Sequence, residues 1–114
     1  MIKRNFWKNK KVLITGHTGF KGGWLTVWMN MLGAKVSGYS INPISKKNFF
    51  QSTGLKDKIV YDYRKNIQDY KSLKECIKKI KPEIIFHLAA HPQVLESYNK
   101  PYDPILTNVI GTSN

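Results

Sequence analysis

The stretch Val12-Leu13-Ile14-Thr15-Gly16-His17-Thr18-Gly19-Phe20-Lys21-Gly22-Gly23-Trp24-Leu25 decides the fold. Its first four residues form an apolar run without a period of two, the pattern of a strand covered on both faces in a parallel sheet. Gly16 ends that strand. From Phe20 to Leu32 the apolar residues Trp24, Leu25, Trp28, Met31 and Leu32 recur at helical spacing, with Thr26 and Asn30 on the other side and Gly33 as the C-terminal stop. They predict a helix packed on the sheet by that apolar stripe.

Between strand and helix stand Gly16, Gly19 and Gly22, the G-x-x-G-x-x-G form of a dinucleotide-binding βαβ turn. Each glycine has a separate reason to be there. Gly16 permits a tight exit from the strand, Gly19 lets the main chain approach a pyrophosphate with no Cβ in the way, and Gly22 lets the helix sit close to the sheet. The unpaired N–H groups and the positive end of the helix dipole then attract phosphate. Turns are rich in glycine generally, and it is the strand before and the helix after that favour the binding reading over a plain turn.

Working outward, Lys35 to Ser40 gives a second strand around Val36, and Ile59-Val60-Tyr61 a short third, with a turn-rich stretch from Asn42 to Gly54 between them. Residues 69–81 form the clearest helix. Leu73, Ile77 and Ile80 share one face with Cys76, Lys71, Lys74, Lys78 and Lys81 share the opposite one, and Pro82 stops it. Ile84 to Leu88 is a fourth strand, and a last helix starts near Asp103 or Pro104 and still runs at Asn114. The alternation predicts an α/β fold of βαβ units, and together with the dinucleotide-binding glycine turn it is read as a Rossmann-type doubly wound parallel sheet in strand order 3-2-1-4. Residues 1–114 are expected to be one partial domain, the N-terminal half of that architecture, cut within the helix after the fourth strand.

The composition constrains the partners. The 114 residues hold 19 Lys plus Arg against 7 Asp plus Glu, a formal charge of +12, with 41% hydrophobic positions. Such a charge can mark a nucleic-acid binder. Here Arg4 and Arg64 are the only arginines, whereas base and phosphate recognition favours the Arg fork, and Ile and Asn are plentiful while Ala is scarce. A solvated Lys-rich surface is the better account, so no nucleic-acid partner is expected. No apolar run approaches the roughly 20 residues of a bilayer crossing, and no membrane partner or secretory signal is expected either, which predicts a cytoplasmic protein. The lone Cys76 can form neither an internal disulfide nor a thiolate metal site, and it reads as a small core hydrophobe. No metal site is expected.

The glycine turn and its flanks, from Phe6 to Leu25, resemble the N-terminus of the extended short-chain dehydrogenase/reductase family, the NAD-dependent epimerases and dehydratases. Lys21 narrows the match, since most relatives carry an aliphatic residue there. The T-G-H-T-G-F-K-G form followed by Trp and Leu is similar to the nucleotide-sugar 4,6-dehydratases, those acting on CDP-glucose in particular. His87-Leu88-Ala89-Ala90-His91-Pro92 and Thr107-Asn108-Val109-Ile110-Gly111-Thr112 agree with it. The resemblance implies NAD as cofactor, with Phe20 and Lys21 beside the pyrophosphate and Asn66 and Ile67 near the adenine. It further implies Leu88, Ala89 and Ala90 on the nicotinamide side, and Thr107 facing the cofactor from the last helix. For the full-length relative it implies a homodimer that removes hydride from carbon 4 of CDP-glucose, eliminates water across carbons 5 and 6 and returns the hydride to carbon 6. The product, CDP-4-keto-6-deoxyglucose, would serve polysaccharide synthesis.

Departures from the family pattern matter as well. The usual Asp near the adenine is Asn66, and no acid ends the second strand, where Ser40 and Asn42 are the nearest polar residues to a ribose hydroxyl. After the fourth strand His91, Gln93 and Leu95-Glu96 replace the usual residues. His17 reads as a turn residue and His87 as a satisfied strand-end histidine, neither as an acid or base. The family's catalytic Tyr-x-x-x-Lys is expected beyond Asn114; Tyr61 and Lys65 have its spacing but stand on the third strand or its exit. No catalytic residue is therefore expected within these 114. A non-catalytic nucleotide-sensing module on the same scaffold is the alternative reading, and a basic nucleic-acid-binding domain a more distant one.

Overall fold

The structure, a computed structural model, describes residues 3–43, 49–90 and 98–114. Four parallel strands, β1 (Lys11–Thr15), β2 (Lys35–Ser40), β3 (Asp62–Arg64) and β4 (Ile84–His87), form one sheet in the order β3-β2-β1-β4, as the sequence predicts. The helices are α1 (Arg4–Trp7), α2 (Phe20–Met31), α3 (Phe49–Ser52) and α4 (Tyr70–Ile80), with a 3-10 turn at Leu55–Lys58. A last helical run, α5, consists of Tyr102–Pro104, the π-wound Ile105–Ile110 and Gly111–Ser113.

β1 lies between β2 and β4 and is covered on both faces, so Val12, Leu13 and Ile14 are fully buried. That is why its sequence is apolar without alternation. Val12 and Ile14 join Met29 and Val36 in a cluster on the α2 side, and Leu13 joins Tyr39, Ile67, Leu73, Cys76 and Ile80 on the α4 side. Burial pushes the Cys76 thiol up to about 11, as befits an inert core residue. α4 follows its sequence signals closely. The Asp69 carboxylate accepts from the Ser72 backbone N–H at 3.1 Å, and Lys81 closes the other end in the left-handed region just before Pro82. Lys71, Lys74, Lys78 and Lys81 are all exposed.

Two expectations are corrected. The third strand is Asp62–Arg64, not Ile59-Val60-Tyr61. Val60 N–H bonds Val36 O and Tyr61 O accepts from Gly38 N–H, but continuous pairing begins only at Asp62, where a carboxylate finds buried partners. The apolar stripe of α2 holds only in part: Leu25 and Leu32 pack against the α2-side cluster, but the rest of the stripe does not. Trp24, Trp28 and Met31 are 54%, 48% and 70% exposed, while the buried residues are Gly22, Gly23, Thr26 and Met29. The tight turn sets the helix rotation, because Gly22 must face Gly16, and Thr26 and Met29 follow it on one face at i+4 and i+7. Thr26 tolerates that burial because its hydroxyl donates to Gly22 O at 2.7 Å.

Candidate functional site

The glycine turn sits at the carboxyl end of the central strand, the edge of an open α/β sheet where ligands bind. Gly16 has φ +80°, a left-handed conformation that penalises any side chain, and its N–H bonds Tyr39 O at 2.9 Å. A Cβ on Gly22 would lie 2.0 Å from Gly16 O. The turn therefore closes only with glycine at both positions. Gly19 is exposed and caps α2 through its backbone alone, with no side-chain hydrogen bond. Its carbonyl takes the first helical bond, from Gly23 N–H at 2.8 Å. The first turn of α2, from Phe20 through Lys21 and Gly22, thus begins with no side-chain cap and no acid, an arrangement that fits a diphosphate. Phe20 and Lys21 are both exposed there.

The strand exit of β4 lies directly against this turn. A Cβ on Gly16 would come within 2.8 Å of Ala89 N and of Leu88 C and O. Leu88 packs into the α2-side cluster, Ala89 against the α4-side one, and Ala90 is exposed. The structure so brings Gly16, Gly19, Phe20, Lys21, Gly22, Leu88 and Ala89 together on one rim.

Asn66, Ile67 and Thr107 are engaged elsewhere. Asn66 Oδ1 accepts from Gln68 N–H at 2.9 Å, and its carbonyl accepts from the Tyr39 hydroxyl at 2.8 Å. Burial, reinforced by Asp69, pushes that Tyr39 hydroxyl up to about 12, so it remains a donor. Ile67 is buried under Gly111 of α5, where a Cβ would meet its Cγ2 at 2.5 Å. Thr107 Oγ1 accepts from Gln68 Nε2 at 3.0 Å, which ties α5 to the turn before α4. His91, Gln93, Leu95 and Glu96 lie outside the described residues.

The sequence reading missed a polar cluster on the other flank of the turn. His17 is a turn residue, as expected, but it is fully buried. Its ring lies on Gly38, where a Cβ would meet it at 2.2 Å, and its Nε2 is 2.7 Å from Asp62 Oδ1. Asp62 also takes both Arg64 Nε at 2.8 Å and Nη2 at 3.1 Å, and Arg64 Nη1 reaches Asn42 at 3.1 Å. Burial lowers His17 from its ordinary value more than Asp62 raises it. Burial works to raise Asp62, yet the bonds and charges of Arg64 and His17 outweigh it and leave the carboxyl below its usual value. The one signal for this cluster is Gly38 inside a strand, which implies a close approach.

Two tyrosines have Lys four residues on. Tyr61 immediately precedes the edge strand instead of standing on it or at its exit, Lys65 follows the strand, and Tyr70 and Lys74, which the sequence reading overlooked, sit exposed on α4 with Lys74 Nζ 5.8 Å from the Tyr70 ring centre. Neither pair touches the rim around Gly16. Among the described residues no group of three His, Cys, Asp or Glu could hold a metal, and no helix is long and apolar enough to cross a membrane.

Comparisons with known proteins agree with this geometry. The CDP-glucose 4,6-dehydratase of Salmonella typhimurium is 43% identical over 112 residues, covering 98% of this chain and 31% of that protein. The UDP-glucose 4-epimerase of Stenotrophomonas maltophila, solved with bound NAD and formylated UDP-arabinopyranose, superposes with a TM-score of 0.79 over 91% of this chain and 31% of that one; at 21% identity the likeness is one of fold. The UDP-glucose 4-epimerase of Thermotoga maritima, solved with UDP-glucose, gives 0.75 at 26% identity, over 90% of this chain and 31% of that one. The chain spans less than a third of each of these three proteins. The family profile for GDP-mannose 4,6 dehydratase matches residues 13–114, from the buried heart of β1 to the end of α5, and the chain belongs to that family.

Proposed function

We propose that the chain is the NAD-binding segment of a nucleotide-sugar 4,6-dehydratase whose full-length form converts CDP-glucose to CDP-4-keto-6-deoxyglucose. One observation carries the reading: an uncapped helix N-terminus set against a turn that closes only with glycine at residues 16 and 22. The 43% identity to the Salmonella CDP-glucose 4,6-dehydratase over nearly the whole chain supports the sugar nucleotide. The NAD in the Stenotrophomonas epimerase of the same fold supports the cofactor.

In this reading the N–H groups of Phe20, Lys21 and Gly22 hold the pyrophosphate, and Gly19 leaves room for it. The family resemblance assigns Leu88, Ala89 and Ala90 to the nicotinamide side, and it assigns Asn66 and Ile67 to the adenine edge and Thr107 to a contact from α5, three residues whose side chains here pack or bond against the turn before α4 and α5. When bound, the dinucleotide supplies a reversible hydride acceptor. The overall conversion loses only water, so the cofactor must leave in the oxidation state in which it came. This segment binds and orients, and the acid-base groups are assigned to the remainder of the full-length protein. A homodimer and a role in polysaccharide synthesis come from the same family resemblance, and the location proposed is cytoplasmic.

The test is a calorimetric titration of the full-length protein with NAD. Gly19→Val places a branched side chain where the pyrophosphate would lie and should weaken binding by about a hundredfold or more. NAD binding unaltered by that change would overturn the reading.

A further inference from the structure

The ends of β1 and β4 meet at Thr15 and His87, which pair across the ladder. Thr15 Oγ1 accepts two backbone N–H groups, from Leu88 at 3.1 Å and Ala89 at 3.3 Å. A hydroxyl has two lone pairs and one proton, and with Ala89 N–H on one pair and a Leu88 N–H shared with Thr15 O on the other, the arrangement that satisfies every group has it donate to its next partner. That partner is His87 Nδ1, 2.7 Å away. Nδ1 must then be the accepting nitrogen, and the ring carries its proton on Nε2. Nε2 lies 2.9 Å from Thr112 Oγ1 on α5 and donates to it. The bonds thus run in one direction, from the β4 exit through Thr15 and His87 to α5.

The consequence falls on the rim of the site. Leu88 N–H has a second acceptor in Thr15 O at 3.0 Å, whereas Ala89 N–H is served by the Thr15 hydroxyl. Ala89 N is one of the atoms within 2.8 Å of a Cβ on Gly16, so the two backbones touch with no slack. We propose that His87 is a positioning residue for the bound dinucleotide: by accepting from Thr15 it turns the hydroxyl lone pairs onto Leu88 and Ala89 and fixes the spacing between the glycine turn and the β4 exit. The inference rests on the cofactor reading above, because those two backbones are the ones assigned to the pyrophosphate and nicotinamide ends. His87 touches neither reacting group, and its part is played through Thr15.

The experiment uses the full-length protein, 15N-labelled at histidine, with NAD affinity measured in parallel. The His87 resonances should show a protonated Nε2 and an unprotonated Nδ1, assigned by their loss in His87→Asn. His87→Phe, which keeps a flat ring but removes both nitrogens, should raise the NAD dissociation constant about tenfold. His87→Asn, whose Oδ1 can take the place of Nδ1, should stay within about threefold of the unmodified protein. Should His87→Phe fail to fold, His87→Gln, with its amide carried one carbon too far to reach Thr15, should show the weakening that Asn does not. A proton on Nδ1, or a folded His87→Phe that binds NAD as the unmodified protein does, overturns the inference alone. An unmodified protein that does not bind NAD overturns the cofactor reading and this inference with it.

Discussion

His17 and His87 stand on opposite flanks of the same glycine turn, and they are held in opposite ways. His17 is fully buried, leans on the bare backbone of Gly38 and shares a carboxylate with Arg64, with Nδ1 left unbonded among the described residues. His87 is exposed, and both its nitrogens bond hydroxyls. A buried ring with one orphaned nitrogen is costly on its own, by about 1–3 kcal/mol, and survives only because neighbouring groups over-determine its place. A solvent-facing ring between two threonines carries no such debt and is free to serve as a hinge pin for the adjacent backbone. The flank built on charge is therefore the stability-sensitive one, and the flank built on hydroxyls the function-sensitive one.

The sharpest way to break this contrast is Gly38→Ala. The new methyl would land on the His17 ring, so the ring or the strand must move, at a cost of about 3 kcal/mol. Chemical denaturation of the full-length protein would measure it, and an unchanged midpoint would show that His17 is not locked. By contrast, substitutions at His87 should disturb NAD affinity more than folding.

Acid should separate the flanks next. Because burial lowers His17 below its ordinary 6.5, the unfolded chain takes up a proton at a higher pH than the folded one does. Stability then decreases as pH falls below 6.5, and Asp62, held below its ordinary 3.8, adds a loss of the same sign further down. Thermal unfolding followed from about pH 7 to about pH 5 should show a falling midpoint, and His17→Gln should flatten that fall. Equal slopes in both proteins would assign the acid sensitivity to other groups.

The smallest effect is expected at Trp28. Since about half of this side chain is exposed, Trp28→Ser should cost only about 1 kcal/mol, whereas a helix docked by the predicted stripe would lose about 3 kcal/mol or more. Denaturation of the two proteins side by side distinguishes these.

The chain's own letters were enough for the parallel sheet, its order, the placing of α4 between Asp69 and Pro82, and the glycine turn. The order came with the doubly wound fold that the glycine turn signals, and the rest follow from local rules: period, caps, and the few residues able to adopt a left-handed turn. Even a histidine at the end of β4 could be read as satisfied. Where folding brings distant residues together, those rules lose their hold. The rotation of α2 was set by backbone contact between Gly16 and Gly22 and not by where its tryptophans fall, so Trp24, Trp28 and Met31 are exposed while Leu25 and Leu32 still pack inward. The start of β3 goes with the buried partner of Asp62, His17, which lies 45 residues away. The direction of the Thr15–His87 bond likewise depends on two amides across the sheet, at separations of 73 and 74 residues. Local propensity is encoded within a few residues, but the choice of hydrogen-bond partner and the burial of a face are decided only when strands from separate parts of the chain lie side by side.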